Sequence, residues 1–125
     1  MRMVIVVAAI SLATLSAGQS KAQDATAGEK VFAKCKVCHN VADDKNKVGP
    51  SLKGVVGRTA GTHAGFKYSA PMIEAGKNGL KWDDAKLAEY LTDPKAMIKG
   101  NKMAFPGLKN KDDTANVIAY LKQFP

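Results

Sequence analysis

The sequence predicts an all-α fold in which short helices and long loops wrap a central group that is not protein. Three observations predict it. Apolar residues recur at helical spacing in a few segments that carry their own start and stop signals. Between residues 40 and 80 glycine is plentiful and neither helical nor strand periodicity holds, so no sheet is required. Aromatic residues are few beyond residue 22: Phe32, Phe66, Tyr68, Trp82, Tyr90, Phe105, Tyr120 and Phe124. Loops that long in so small a chain make sense if they enclose something. A bulky apolar group would supply the missing core.

The first element reads as a leader. Arg2 gives it a positive start, and Val4 to Leu15 is an apolar run broken only by Ser11 and Thr14. Ser20 and Ala22 have the small-residue spacing of a signal-peptidase site. Residues 1–22 are therefore expected to be a signal peptide cleaved before Gln23, leaving residues 23–125 as one domain in the periplasm. The apolar run is too short to span a bilayer, and no later stretch reaches the ~18 apolar residues a span requires.

Four helices follow in order, with one further turn between the first two. The first covers roughly Ala27 to Val37 and ends at a cysteine pair. A helical turn is expected over Ala70 to Ala75. In "WDDAKLAEYLTDP" Asp83 can cap the start, Trp82 and Leu87 occupy the positions of a hydrophobic staple, and Pro94 ends the helix. Leu87, Tyr90 and Leu91 form its apolar face. Pro94 can then open a short helix capped by Asp93 and running to Ile98, before Gly100. The last, "NKDDTANVIAYLKQF", begins at Asn110 with Asp112 and Asp113 in its first turn, where the helix dipole favours acids. Thr114, Val117, Ile118 and Leu121 mark its buried stripe.

Charge narrows the partners. Loss of Arg2 and Lys21 takes the 19 basic residues to 17 against 11 acids, a net charge of +6. All but Arg58 of those 17 are lysines, spread from Lys30 to Lys122 among the acids. No arginine-rich cluster suggests base reading, and export removes the chain from nucleic acid. An acidic protein surface is the expected partner.

The chemistry lies in "EKVFAKCKVCHN", which holds both cysteines of the chain. Two cysteines exclude a scaffold of several disulfides. Three readings compete: a redox-active dithiol, a partial zinc site and the attachment point of a covalent haem. A thioredoxin-like dithiol needs a helix N-terminus after a strand, where the dipole lowers the thiol pKa. Here the pair ends a helix. Zinc needs a fourth ligand, and His63 is the only other histidine. On a helix Cys35, Cys38 and His39 would share one face, so two thioethers could fix a porphyrin edge while the imidazole reaches the iron. C-x-x-C-H is the attachment signature of haem c.

A low-spin haem needs a second axial ligand far away in sequence. His63, Met72, Met97 and Met103 are available. Methionines mostly fill cores. Met103 differs in lying in "GNKMAFPG", a glycine-bounded loop without helical period, and the residues favour it over Met97, with His63 or an open site as alternatives.

The residues from 27 to 122 resemble the class I c-type cytochromes, in particular the group of cytochrome c2 and mitochondrial cytochrome c. The resemblance rests on "CKVCH", "GPSLKGVVGR", "GFKYS", the series from Trp82 through "EYL" to "DPKAMIKGNKMAFPG", and "VIAYLK", all in family order. It implies a compact cytochrome c fold around one haem c bound through Cys35 and Cys38. It makes His39 the proximal and Met103 the distal iron ligand, with the Pro50 carbonyl accepting the other ring proton of His39. It places Arg58, Tyr68 and Trp82 at the haem propionates and Tyr90 beside the methionine sulfur. Gly28 and Phe32 would face Val117 and Tyr120 where the terminal helices cross. Two departures stand out: the segment Ser69 to Trp82 is longer than in the mitochondrial form, and Lys99 replaces a usual proline.

The implied function is one-electron transport, since a haem with two protein ligands has no vacant site for substrate. The resemblance implies a mobile monomeric carrier between a bc1-type complex and a photosynthetic reaction centre or terminal oxidase, or an acceptor for a periplasmic dehydrogenase. The rival is a haem enzyme or gas sensor with a labile distal ligand. Lys34, Lys47, Lys95, Lys99, Lys102 and Lys109 match a positive ring around the exposed haem edge, and Lys122 would lie away from it.

Overall fold

The two ends of the domain hold each other. In the computed structural model, which describes residues 24–125, helix α1 (Ala25–Phe32) packs against α5 (Lys111–Leu121). The expected signal peptide and its cleavage before Gln23 lie outside the described residues. Between the terminal helices run α2 (Ala70–Lys77), α3 (Asp84–Thr92) and the single turn α4 (Pro94–Met97). Among the described residues the only β pairing is an isolated bridge between Thr59 and Lys81. None of the described helices is long and apolar enough to cross a membrane.

Helix α1 starts two residues before the expected Ala27. Asp24 Oδ1 accepts the N–H groups of Thr26 at 2.9 Å and Ala27 at 3.2 Å, satisfying donors that a helix start leaves free. Its own N–H donates to Asn116 Oδ1 of α5 at 2.9 Å. The helix also ends at Phe32, short of the expected Val37. The N–H groups of Lys34 and Cys35 bond to Val31 and Phe32, three residues back, which tightens the chain into consecutive turns. Helix-like spacing survives locally: Cys38 and His39 N–H both reach the Cys35 carbonyl, at 3.0 and 2.9 Å.

The crossing of α1 and α5 is set by Gly28. A Cβ there would stand 1.9 Å from the Asn116 carbonyl oxygen, so only glycine admits this approach. Phe32 and Tyr120 stack beside it with ring centroids 5.2 Å apart, and Val117 is fully buried below. Gly28→Ala sets two effects against each other. Helix propensity favours alanine by about 1 kcal/mol, whereas overpacking against backbone costs about 1–3 kcal/mol. The clash is with a main-chain atom that cannot rotate away, so the expected net effect is a lower denaturant midpoint. A raised midpoint would show that the helices separate freely.

Asp83 and Asp93 cap α3 and α4 as expected, and Asn110, the expected start of α5, caps it. Asp83 Oδ1 accepts Lys86 N–H at 2.8 Å, Asp93 Oδ1 accepts Ala96 N–H at 3.2 Å, and Asn110 Oδ1 accepts Asp112 N–H at 2.8 Å. The α5 stripe of Thr114, Val117, Ile118 and Leu121 is buried, and Asn116 joins it to hold Asp24. Helix α2 grows from the expected turn into eight residues, because Ser69 Oγ caps it by accepting Met72 N–H. Trp82, just before α3, and Tyr90 on it pack with ring centroids 4.8 Å apart, and both are buried.

Candidate functional site

His39 follows directly on the turns that end α1, and its ring is fixed from the next loop. Nδ1 lies 2.7 Å from the Pro50 carbonyl oxygen, which can only accept, so Nδ1 carries the proton and Nε2 keeps its lone pair. Burial pushes the imidazole pKa below its ordinary value, the Pro50 bond opposes this, and Lys47 reinforces it. The ring is thus neutral at neutral pH and ready to bind a metal. Gly49 gives it room: a Cβ there would stand 2.4 Å from Cε1 of the imidazole.

His39 opens onto a cleft of about 820 Å3, including its mouth. Cys38, His39, Pro50, Arg58, Tyr68, Trp82, Tyr90 and Met103 all line it. Cys35 does not; it is half-buried against the core. Burial pushes the Cys35 thiol above its ordinary pKa despite the opposing charge of Lys34. A redox dithiol needs the reverse shift. Nor are three His, Cys, Asp or Glu side chains grouped to hold a metal among the described residues, which removes the zinc reading.

The candidates for a second ligand separate in space. His63 stands outside the cleft, its Nε2 3.2 Å from the Asp44 carbonyl. Met97 lines a different groove. Met72 is in the cleft, buried on α2. Met103 is half-buried in the loop after α4, and the Tyr90 hydroxyl lies 3.9 Å from its Sδ. Burial raises the Tyr90 pKa to about 12, so the phenol keeps the proton it donates.

The cleft lining also carries a charge. Arg58 donates Nη1–H to the Ser51 carbonyl at 2.9 Å and Nη2–H to the Lys53 carbonyl. Burial lowers its pKa, which the neighbouring Tyr68 opposes. Among the described residues it has no ion-pair partner. A half-buried guanidinium without a carboxylate suits an anionic group entering the cleft. With apolar walls from Leu52, Val55, Met72 and Leu87, a cation for carboxylates, an imidazole lone pair, a thioether and adjacent thiols, the residues present fit a haem c.

Leu52, Val55, Phe66 and Asn101 also line the cleft without having been singled out from sequence. Three carry no distinguishing local pattern, and Asn101 shows only its place in the methionine loop. A more open groove between α3, α4 and α5 has Ala85, Ala88, Ala96, Ala115 and Ala119 among its walls. It holds neither imidazole nor thiol, so the chemistry belongs to the smaller cleft.

The lysines are placed at the surface. Lys34, Lys47, Lys95, Lys99, Lys102 and Lys109 are all exposed. Lys47, Lys102 and Lys109 are steadied by the carbonyls of Lys36, Lys67 and Thr92 at 2.9, 3.1 and 3.0 Å. Lys102 also lines the cleft. Lys122 pairs with Asp84 at the α3–α5 groove instead.

Residues 25–125 match the family described as cytochrome c. Cytochrome c2 iso-2 of Magnetospirillum molischianum is 59% identical over 99 residues, 79% of this chain and 96% of that protein. Among solved structures, cytochrome cH from Methylobacterium extorquens superposes with a TM-score of 0.73 at 50% identity, covering 80% of this chain and 98% of the other. Ferricytochrome c2 from Rhodopseudomonas palustris gives a TM-score of 0.76 at 42% identity, covering 82% and 100%.

Proposed function

Because the chain belongs to the cytochrome c family, close to the cytochromes c2, we propose that Cys35 and Cys38 hold one haem c with His39 and Met103 as its axial ligands. Like the cytochromes c2, it is a periplasmic one-electron carrier. The observation that carries the ligand reading is the single cleft in which His39, its Nε2 left free by Pro50, and Met103 both stand.

When bound, the haem supplies the one-electron Fe(III)/Fe(II) couple. The residues set the conditions for it. Pro50 orients the imidazole and strengthens it as a donor. Tyr90 offers a proton to the thioether of Met103. Arg58, with Tyr68 and Trp82, offsets the propionates that would otherwise be costly to bury. Leu52, Val55 and Leu87 keep water out, which disfavours the more charged ferric state. The partners are membrane electron-transfer complexes, and we place the carrier between a bc1-type complex and a reaction centre or terminal oxidase, with a periplasmic dehydrogenase as a further donor.

Docking is assigned to the exposed Lys34, Lys47, Lys95, Lys99, Lys102 and Lys109, of which Lys102 lines the cleft, with the exposed Val37 and Val48 in the same two segments as Lys34 and Lys47. Such a ring steers an acidic partner mainly through the association rate. Electron transfer to the purified partner complex should slow steeply as ionic strength rises. Charge reversal at Lys34 or Lys102 should slow the second-order rate more than reversal at Lys122, whose surface ion pair contributes at most about 1 kcal/mol. Stopped-flow or flash kinetics measures this, with reduction potentials expected to stay unchanged. Equal slowing by all three variants would mean that net charge steers the encounter without a localised dock.

A further inference from the structure

Asn101 joins three parts of the fold through one carboxamide. Its Oδ1 accepts Met103 N–H at 2.9 Å and lies 3.4 Å from the Tyr90 hydroxyl of α3. Its Nδ2 donates to the carbonyls of Pro94 and Ile98, at 3.0 and 2.8 Å. The orientation is unambiguous, because carbonyls only accept and a backbone N–H only donates. No other side chain bonds the Met103 main chain among the described contacts.

The neighbourhood explains why a carboxamide is needed. Helix α4 is a single turn and cannot hold its own C-terminal end rigid. Gly100, at φ 83°, reverses the chain directly after it, so the methionine loop leaves α4 without regular structure. Nδ2 of Asn101 supplies the donor that α4 and Ile98 lack, and Oδ1 fixes the residue two positions on. The Tyr90 hydroxyl has one proton and two acceptors in reach, Asn101 Oδ1 and Met103 Sδ. Asn101 therefore bears on Met103 twice, through its backbone and through the phenol facing its sulfur.

We propose that Asn101 is the positioning residue for the Met103 thioether, tying the methionine loop to α4 and to the Tyr90 hydroxyl. This rests on reading Met103 as the distal ligand. Aspartate keeps the acceptor toward Met103 and Tyr90 but loses both donors, and turns a carboxylate toward two carbonyls. Leucine, of similar size, loses all four contacts. The acceptor side is the one that serves the ligand, and the donor side serves α4.

The test compares Asn101→Leu and Asn101→Asp in the haem-loaded protein, with Asn101→Ala replacing the leucine variant should that fail to load haem. The readouts are the ferric sulfur-to-iron charge-transfer band and the rate of carbon monoxide binding to the ferrous form, with denaturant unfolding alongside. Leucine or alanine should weaken the band and speed carbon monoxide binding about tenfold, the effect of losing one hydrogen bond to the ligand's backbone. Aspartate should retain most of the band while still lowering the unfolding midpoint. A leucine or alanine variant that is less stable yet unchanged in band and binding rate overturns the proposal, leaving Asn101 a structural brace. Aspartate as deficient as leucine in both readouts also overturns it. Absence of the band from the unsubstituted protein would instead refute Met103 as ligand.

Discussion

Met103→Ala is expected to open the sixth position of the iron, let carbon monoxide bind the ferrous protein, and lower the reduction potential. The shift should be on the order of 100–300 mV, a sizeable part of the ~0.8 V that axial ligation controls. The thioether is a soft ligand that favours ferrous iron, and its removal admits water to a cleft otherwise walled by apolar side chains. Met97→Ala is the control. Met97 is half-buried in the α3–α5 groove, outside the cleft, so its truncation should cost about 1–3 kcal/mol of packing and leave the potential in place. Redox titration and carbon monoxide difference spectra read both variants. Loss of ligation in Met97→Ala but not in Met103→Ala would exchange the two roles.

Replacing Cys35 and Cys38 together by alanine should abolish haem retention on denaturing gels, since the chain has no other thiol. Either single replacement should leave one thioether. The protein without haem should also be largely unfolded. The described helices span 4 to 11 residues, short of the ~12–15 at which an isolated helix becomes even marginal. They depend on packing, and Leu52, Val55, Met72 and Leu87 would then face an open cleft rather than a partner. Far-ultraviolet circular dichroism of protein made without haem attachment checks this. A native-like helical spectrum would show that the polypeptide core suffices.

Local interactions were the legible part of the fold. Asp83, Asp93 and Asn110 cap helices through bonds to residues two or three positions on, a range that short motifs encode. The Asp24 cap has the same form, yet its bond to Asn116 spans 92 positions and leaves no local trace. The end of α1 was misplaced because the turns through Cys38 keep a helix-like spacing of side chains after the regular bonding stops. In the site, C-x-x-C-H announced itself, because covalent attachment and ligation require those residue types at that spacing. Arg58, Tyr68, Trp82 and Tyr90 came from resemblance alone, since an arginine in a glycine-rich loop or an aromatic on a helix face has no local mark of a cofactor contact. Asn101 was not read at all, and Met72 was read only as one of four possible ligands. Their roles depend on which loops meet, and only the folded chain brings α2, α3 and the methionine loop to one cleft.

Ligation of one haem by His39 and Met103 is tested most directly by the absorption spectrum of the ferric protein, purified from the periplasm, at neutral pH. A low-spin spectrum with a weak long-wavelength sulfur-to-iron charge-transfer band is the predicted result, and a high-spin spectrum without that band would contradict it.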